Sequence, residues 1–145
     1  MLSYVTVGAD DIALARRFYT ALLSPLGYGM TEGPEGLSFA LPPAPDQRFD
    51  WPEFYVKPTF NGLPATAGNG AMVAFEAHDQ AQVRGLHAAA LAAGGSDEGP
   101  PGFRADYGPR FYVGDLRDPQ GKKIALFSSN PNDPSRDDFR ASSAA

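Results

Sequence analysis

Few residues in this chain carry reactive chemistry. It has two histidines and no cysteine, so thiol nucleophiles, disulfides and zinc–thiolate sites are excluded. His78 directly precedes Asp79, a helix-capping residue type, and reads as a solvated histidine at a helix start. His87 shares a helical face with Val83, Leu86, Ala90 and Leu91, so it reads as a packing residue. Neither supplies a cavity-facing base, and no Ser-His-Asp arrangement can be built from them. Two carboxylates are candidates for acid–base work. Glu76 lies at the helix end of a strand, and Asp115 stands between Gly114 and Leu116 in another. Each reads as a rim carboxylate or a general base, with a solvated surface carboxylate as the common alternative. Lys122 and Lys123 follow Gly121 without the Ser or Thr of a phosphate loop, and read as solvated hairpin residues. The glycine spacing of GYGMTEG does not fit a dinucleotide fingerprint.

The elements that must position these groups occur twice. SYVTVGADDI at residues 3–12 is written again as AMVAFEAHDQ at 71–80, with Tyr4 matched to Met72, Val5 to Val73, Val7 to Phe75 and Asp11 to Asp79. Each stretch alternates with a period of two, which gives a strand two faces. Each is followed by an Asp and then a helix of about 11–23 or 79–93. The apolar faces of these helices are Ala15, Phe18, Tyr19, Leu22 and Leu23, and Val83, Leu86, His87, Ala90 and Leu91. Further strands are predicted at about 28–32, 36–41, 51–57, 110–117 and 122–128. DPQG at 118–121 forms the last hairpin turn, and 99–109 is a Gly- and Pro-rich loop.

Two βαβββ units therefore make up one α+β domain over 1–128. The first module is about 1–58, a linker loop is 59–70, and the second module is 71–128. A polar tail, 129–145, reads as poorly packed unless Phe139 pins it. Val5, Val7, Val73 and Phe75 should pack under the helices. Tyr4, Thr6, Met72, Ala74 and Glu76 then share the opposite face, which lines a cavity if the two sheets curve together.

Composition bounds the partners. A hydrophobic content of 43% with 20% charged residues is that of a globular domain. A net charge of −5 argues against nucleic acid. No stretch is long and apolar enough for a membrane span. The N-terminus has no basic region followed by an apolar run, so a cytoplasmic location is expected.

The segments YVTVGADD, RRFYTALLSPLGY, GNGAMVAFEAHD, LHAAALAAGG and RDPQGKKIALF, in this order, resemble the vicinal oxygen chelate superfamily of glyoxalases, bleomycin resistance proteins and extradiol dioxygenases. The resemblance implies paired modules forming a concave, barrel-like mixed sheet with the helices outside. It also implies where the metal-dependent members keep their ligands: at Tyr4, at Met72, at Ala125 in the last strand, and near Phe54 or Tyr55 in the fourth. None of these is a carboxylate or imidazole donor, so no metal and no cofactor is expected.

What the face retains suits contact. Tyr4, Phe54, Tyr55, Met72, Tyr107, Tyr112, Ala125 and Phe127 are the expected ligand-binding residues, with Arg110 and Arg104 beside Tyr107 as an anion clamp at the mouth. Ala125 is expected to leave open space where a longer acid would project. The leading expectation is a metal-free binding protein that forms a homodimer and holds a small uncharged or aromatic molecule, in a cavity built within one chain or across the dimer. Two alternatives stand beside it. One is a divergent metal-independent enzyme using Tyr4, Glu76 or Asp115. The other is a protein-association module with a vestigial pocket.

Overall fold

Asp11 and Asp79 perform the same task in the two repeats. The Asp11 carboxylate accepts a hydrogen bond from Leu14 N at 3.0 Å, and the Asp79 carboxylate accepts one from Gln82 N at 2.7 Å. Each satisfies an amide that the first helical turn leaves unpaired. In the computed structural model, which describes residues 1–139, the helices they start are α1 (Ile12–Leu23) and α2 (Gln80–Ala92). The strands are β1 (Tyr4–Gly8), β2 (Gly29–Gly33), β3 (Gly36–Ala40), β4 (Glu53–Lys57), β5 (Met72–Glu76), β6 (Ser96–Phe103), β7 (Tyr112–Arg117) and β8 (Lys123–Ser128).

The eight strands form two four-stranded sheets of identical order, β1-β4-β3-β2 and β5-β8-β7-β6. In each, the first strand runs parallel to the last and the others are antiparallel. The duplication is thus present at the level of topology, as two mixed sheets and not a closed barrel.

Strand β6 corrects the sequence reading, which placed 99–103 in a loop. Pro100 and Pro101 donate no ladder hydrogen bonds, so they are tolerated only at an edge or a bulge. Strand β6 is the edge of its sheet, and its pairing with β7 shifts register between Asp97 and Gly99 and again between Gly99 and Gly102.

The apolar faces of both repeats merge into one core. Phe18, Tyr19, Leu22 and Leu23 of α1 are wholly buried, as are Leu116, Ile124 and Leu126 of the second module. Phe54 and Phe75, one from each module, meet edge-to-face at 5.2 Å. Gly95 is needed where α1 crosses: a Cβ there would lie 2.7 Å from the Phe18 ring and 2.9 Å from Arg117 O. A polar joint closes the same contact. Tyr19 OH donates to Asp118 Oδ2 at 2.5 Å, Asp118 Oδ1 accepts from Gln120 N and Lys122 N, and Gln120 Oε1 accepts from Asp10 N.

The segment after β8 is better fastened than its composition suggested. Arg136 donates to the carbonyls of Tyr107 at 2.7 Å and Ala105 at 3.1 Å, and Gln80 is bonded to both Asp133 and Pro134. Phe139 lies 6.0 Å from the Phe103 ring. Residues 140–145 of the predicted tail lie outside the described residues. No helix among the described residues is long and apolar enough to cross a membrane.

Candidate functional site

The gap between the modules is where β1 and β5 pass each other. Leu2 and Val5 line one cleft together with Phe75, Ala77 and His78, whereas Thr6, Val7 and Gly8 line another with Ala71 and Met72. The start of one strand therefore lies beside the end of the other. This direction separates Tyr4 from Met72. The two occupy equivalent places in the repeats, and equivalent places fall at opposite ends of an antiparallel pair. Tyr4 lines a hollow of about 410 Å³ with Phe49, Trp51, Glu53 and Tyr55, while Met72 lines the smaller space of about 160 Å³ at the far end.

A cleft of about 600 Å³ lies between these modules and shares Leu2, Trp51 and Glu53 with the hollow around Tyr4. Val5, Phe54, Val73 and Phe75 give it an apolar floor, and Tyr28 and Leu26 a side wall. Glu53, Glu76 and His78 supply its polar groups. This is the size and composition of a small-molecule site.

Glu53 is the residue the sequence reading passed over. It pairs in register with Tyr4, and alternation puts it on the same face as Tyr55. Its Oε2 accepts from Tyr55 OH at 2.5 Å and from Ser38 Oγ at 3.3 Å. The bond to this carboxylate, followed by burial, raises the Tyr55 pKa above its ordinary value. Lys57 sits 4.9 Å from the centre of the Tyr55 ring and pairs with Glu35 at 3.3 Å. Counting back two from Tyr55 was the signal available for Glu53.

The other expected site residues are divided. Phe54 and Tyr112 face the helices. Phe54 is buried in the core while still lining the cleft floor, and Tyr112 OH accepts from Arg84 of α2 at 3.2 Å. Tyr107, Phe111 and Phe127 form a continuous ring stack, with centroid distances of 4.8 and 4.7 Å. Arg110 donates to Asp133 O at 2.7 Å, and Arg104 pairs with Asp115 at 3.1 Å, so neither stands at the cleft. Gly99 packs against that ion pair, and a Cβ there would lie 3.1 Å from the Arg104 guanidinium. Ala125 does not border open space. It is 1% exposed, between Ala74 and Asp115 in the ladder. Of the histidines, His78 is exposed, and His87 is buried with Nε2 3.1 Å from both Asp97 Oδ1 and Asp115 O.

The donor set does not fit the metal of the metal-dependent relatives. The ladder resolves the fourth-strand position: Thr6 pairs with Tyr55 as Ala74 pairs with Ala125, so Tyr55 answers to Ala125. Tyr4, Tyr55, Met72 and Ala125 offer two phenols, a soft thioether and a methyl group. The described residues contain no group of three or more His, Asp or Glu able to hold an ion. Purified protein, dialysed and measured by elemental analysis, should carry no stoichiometric nickel, zinc, manganese or iron. One equivalent retained would overturn this reading of the donors.

No family model matches the sequence, and no curated protein matches it significantly. Solved structures do. A glyoxalase-related enzyme from Fulvimarina pelagi matches at 19% identity and a TM-score of 0.63, over 88% of this chain and 86% of that one. A glyoxalase/bleomycin resistance protein/dioxygenase family enzyme from Burkholderia phytofirmans PsJN matches at 19% and 0.60, over 86% and 95%. These two establish the fold alone. A glyoxalase/bleomycin resistance protein from Albidiferax ferrireducens T118 is 36% identical with a TM-score of 0.73, covering 88% of this chain and 97% of that one. At that identity, over almost the whole of the relative and with the paired βαβββ topology in place, the chain belongs to the glyoxalase/bleomycin resistance family of the vicinal oxygen chelate superfamily.

Proposed function

We propose that this protein binds a small, partly apolar molecule in the cleft between its modules and does so without a metal ion. The observation that carries the reading is the cleft itself. It offers about 600 Å³ over a floor of Val5, Phe54, Val73 and Phe75, beside strands that lack coordinating side chains at the family positions. Such a surface rewards burial of an apolar body at about 25 cal/mol per Å², with Tyr28 and Trp51 for ring contact. Tyr4 and Trp51 remain 61% and 43% exposed around the hollow they share in the single chain, and a homodimer in which a second copy covers them is part of the same proposal.

Ala74 provides the test. It is exposed and lines the cleft from the face of β5 that carries Glu76. Ala74→Trp should fill the space and leave the fold intact. In a thermal-shift screen, a ligand specific for the native state at a hundredfold excess over its Kd adds about 2.7 kcal/mol of stability. Hits on the wild type that vanish in Ala74→Trp support the cleft. Hits that persist unchanged place the site elsewhere, and a protein that gains stability from no small molecule yet forms a tight complex with another protein favours association instead.

A further inference from the structure

Resting on the reading that the cleft is the binding site, we propose that its occupant is a small organic ammonium ion, an amine carrying an aromatic or aliphatic body. The charged groups of the lining are Glu53 and Glu76, with His78 beside Glu76, and no Lys or Arg is among the described residues that line it. The two carboxylates come from different modules, Glu53 at the start of β4 and Glu76 at the end of β5. Neither forms an ion pair among the described residues. The nearest cation along β4, Lys57, is paired with Glu35.

Glu53 is also oriented. Tyr55 OH and Ser38 Oγ both donate to Oε2, which holds the carboxylate in place and leaves Oε1 without a described donor. A carboxylate fixed through one oxygen is prepared to accept a charge-assisted hydrogen bond through the other. Trp51 borders both the cleft and the hollow around Tyr4 and Tyr55, so aromatic side chains and Glu53 line the same space. Rings next to a carboxylate favour an N–H cation over a neutral donor. An anionic ligand would instead meet two unpaired carboxylates over an apolar floor, where its own charge loses hydration without compensation.

The experiment uses three probes of matched size: phenethylamine, phenethyl alcohol and phenylacetate. Each is titrated calorimetrically against the wild type, Glu53→Gln, Glu76→Gln and Ala74→Trp. The amine should bind the wild type about tenfold or more tighter than the alcohol, the gain expected of one charge-assisted hydrogen bond, and the acid most weakly. Glu53→Gln should remove most of the amine's advantage over the alcohol and leave the alcohol unchanged, since a glutamine oxygen can still accept from Tyr55 and Ser38. Glu76→Gln should give a smaller loss of the same sign. If amine and alcohol bind the wild type equally, or the acid binds best, and Ala74→Trp still abolishes binding, the ammonium inference is wrong while the cleft stands. If the probes bind Ala74→Trp as they bind the wild type, or none binds at all, the cleft reading fails and the inference with it.

Discussion

Replacing Phe75 by alanine is expected to lower stability by about 3–5 kcal/mol, the usual loss for a buried phenylalanine. Phe75 is 6% exposed and stands at the seam between modules. Its ring meets Phe54 of β4 at 5.2 Å and Tyr28 at 6.0 Å, both nearly perpendicular. The truncation removes two edge-to-face contacts and the apolar burial together. It also deepens the cleft floor that Phe75 helps to build. Urea denaturation of the wild type and the variant measures the change, provided the m-value is unaltered. A loss below about 1 kcal/mol, outside the range for buried aromatics, would show that the modules gain little from this seam.

The polar joint should give the other large effect. Asp118→Ala deprives Tyr19 OH, Gln120 N and Lys122 N of their acceptor at once. The buried Tyr19 hydroxyl left unsatisfied costs about 1–3 kcal/mol and the part-buried Gln120 and Lys122 amides add less, so a total near 3 kcal/mol is expected. Tyr19→Phe removes one donor and should cost about 1–2 kcal/mol. The pair also sets an alkaline limit. Burial first, and then the charge and hydrogen bond of Asp118, raise the Tyr19 pKa well above its ordinary 10.0. The unfolded chain therefore loses that phenolic proton at a lower pH than the folded one. The contribution is fully present below pH 10.0 and is lost as pH rises towards the folded value. Tyr28 and Tyr55 are shifted in the same direction, so the Tyr19 share is the difference between wild type and Tyr19→Phe. If the two alkaline limbs superimpose above pH 10, Tyr19 carries no such linkage.

Much of this architecture is legible in the chain because helices and strands report their own periods. Ala15, Phe18, Tyr19, Leu22 and Leu23 recur at three and four, and all are buried. Strand β6 was hidden because prolines argue against a strand unless its neighbours are known, and edge position is a property of the sheet. The site was harder to read for a similar reason. Glu53 belongs to it through its register with Tyr4 and the hydroxyls of Tyr55 and Ser38, none of which a single strand displays. Ala125 promised space because its side chain is small, yet the volume beside it is a matter of which cross-strand neighbours stand there. Repetition showed that Tyr4 and Met72 are equivalent; only the direction of one module against the other shows that they are apart.

That opposed direction of β1 and β5 has a bearing on how a duplicated chain can acquire discrimination. Two identical strands passing in opposed directions would give the seam equivalent mouths, and a molecule entering between them could sit either way round. Here one mouth of the seam carries Glu53, Trp51 and Glu76, and the other carries Met72, Lys122 and Lys123. The two spaces along the seam therefore differ, one acidic and ring-lined and the other basic and thioether-lined. Because the two strands hold the same place in their sheets, the polarity of the seam is set by side-chain differences between the repeats and not by a difference in strand order.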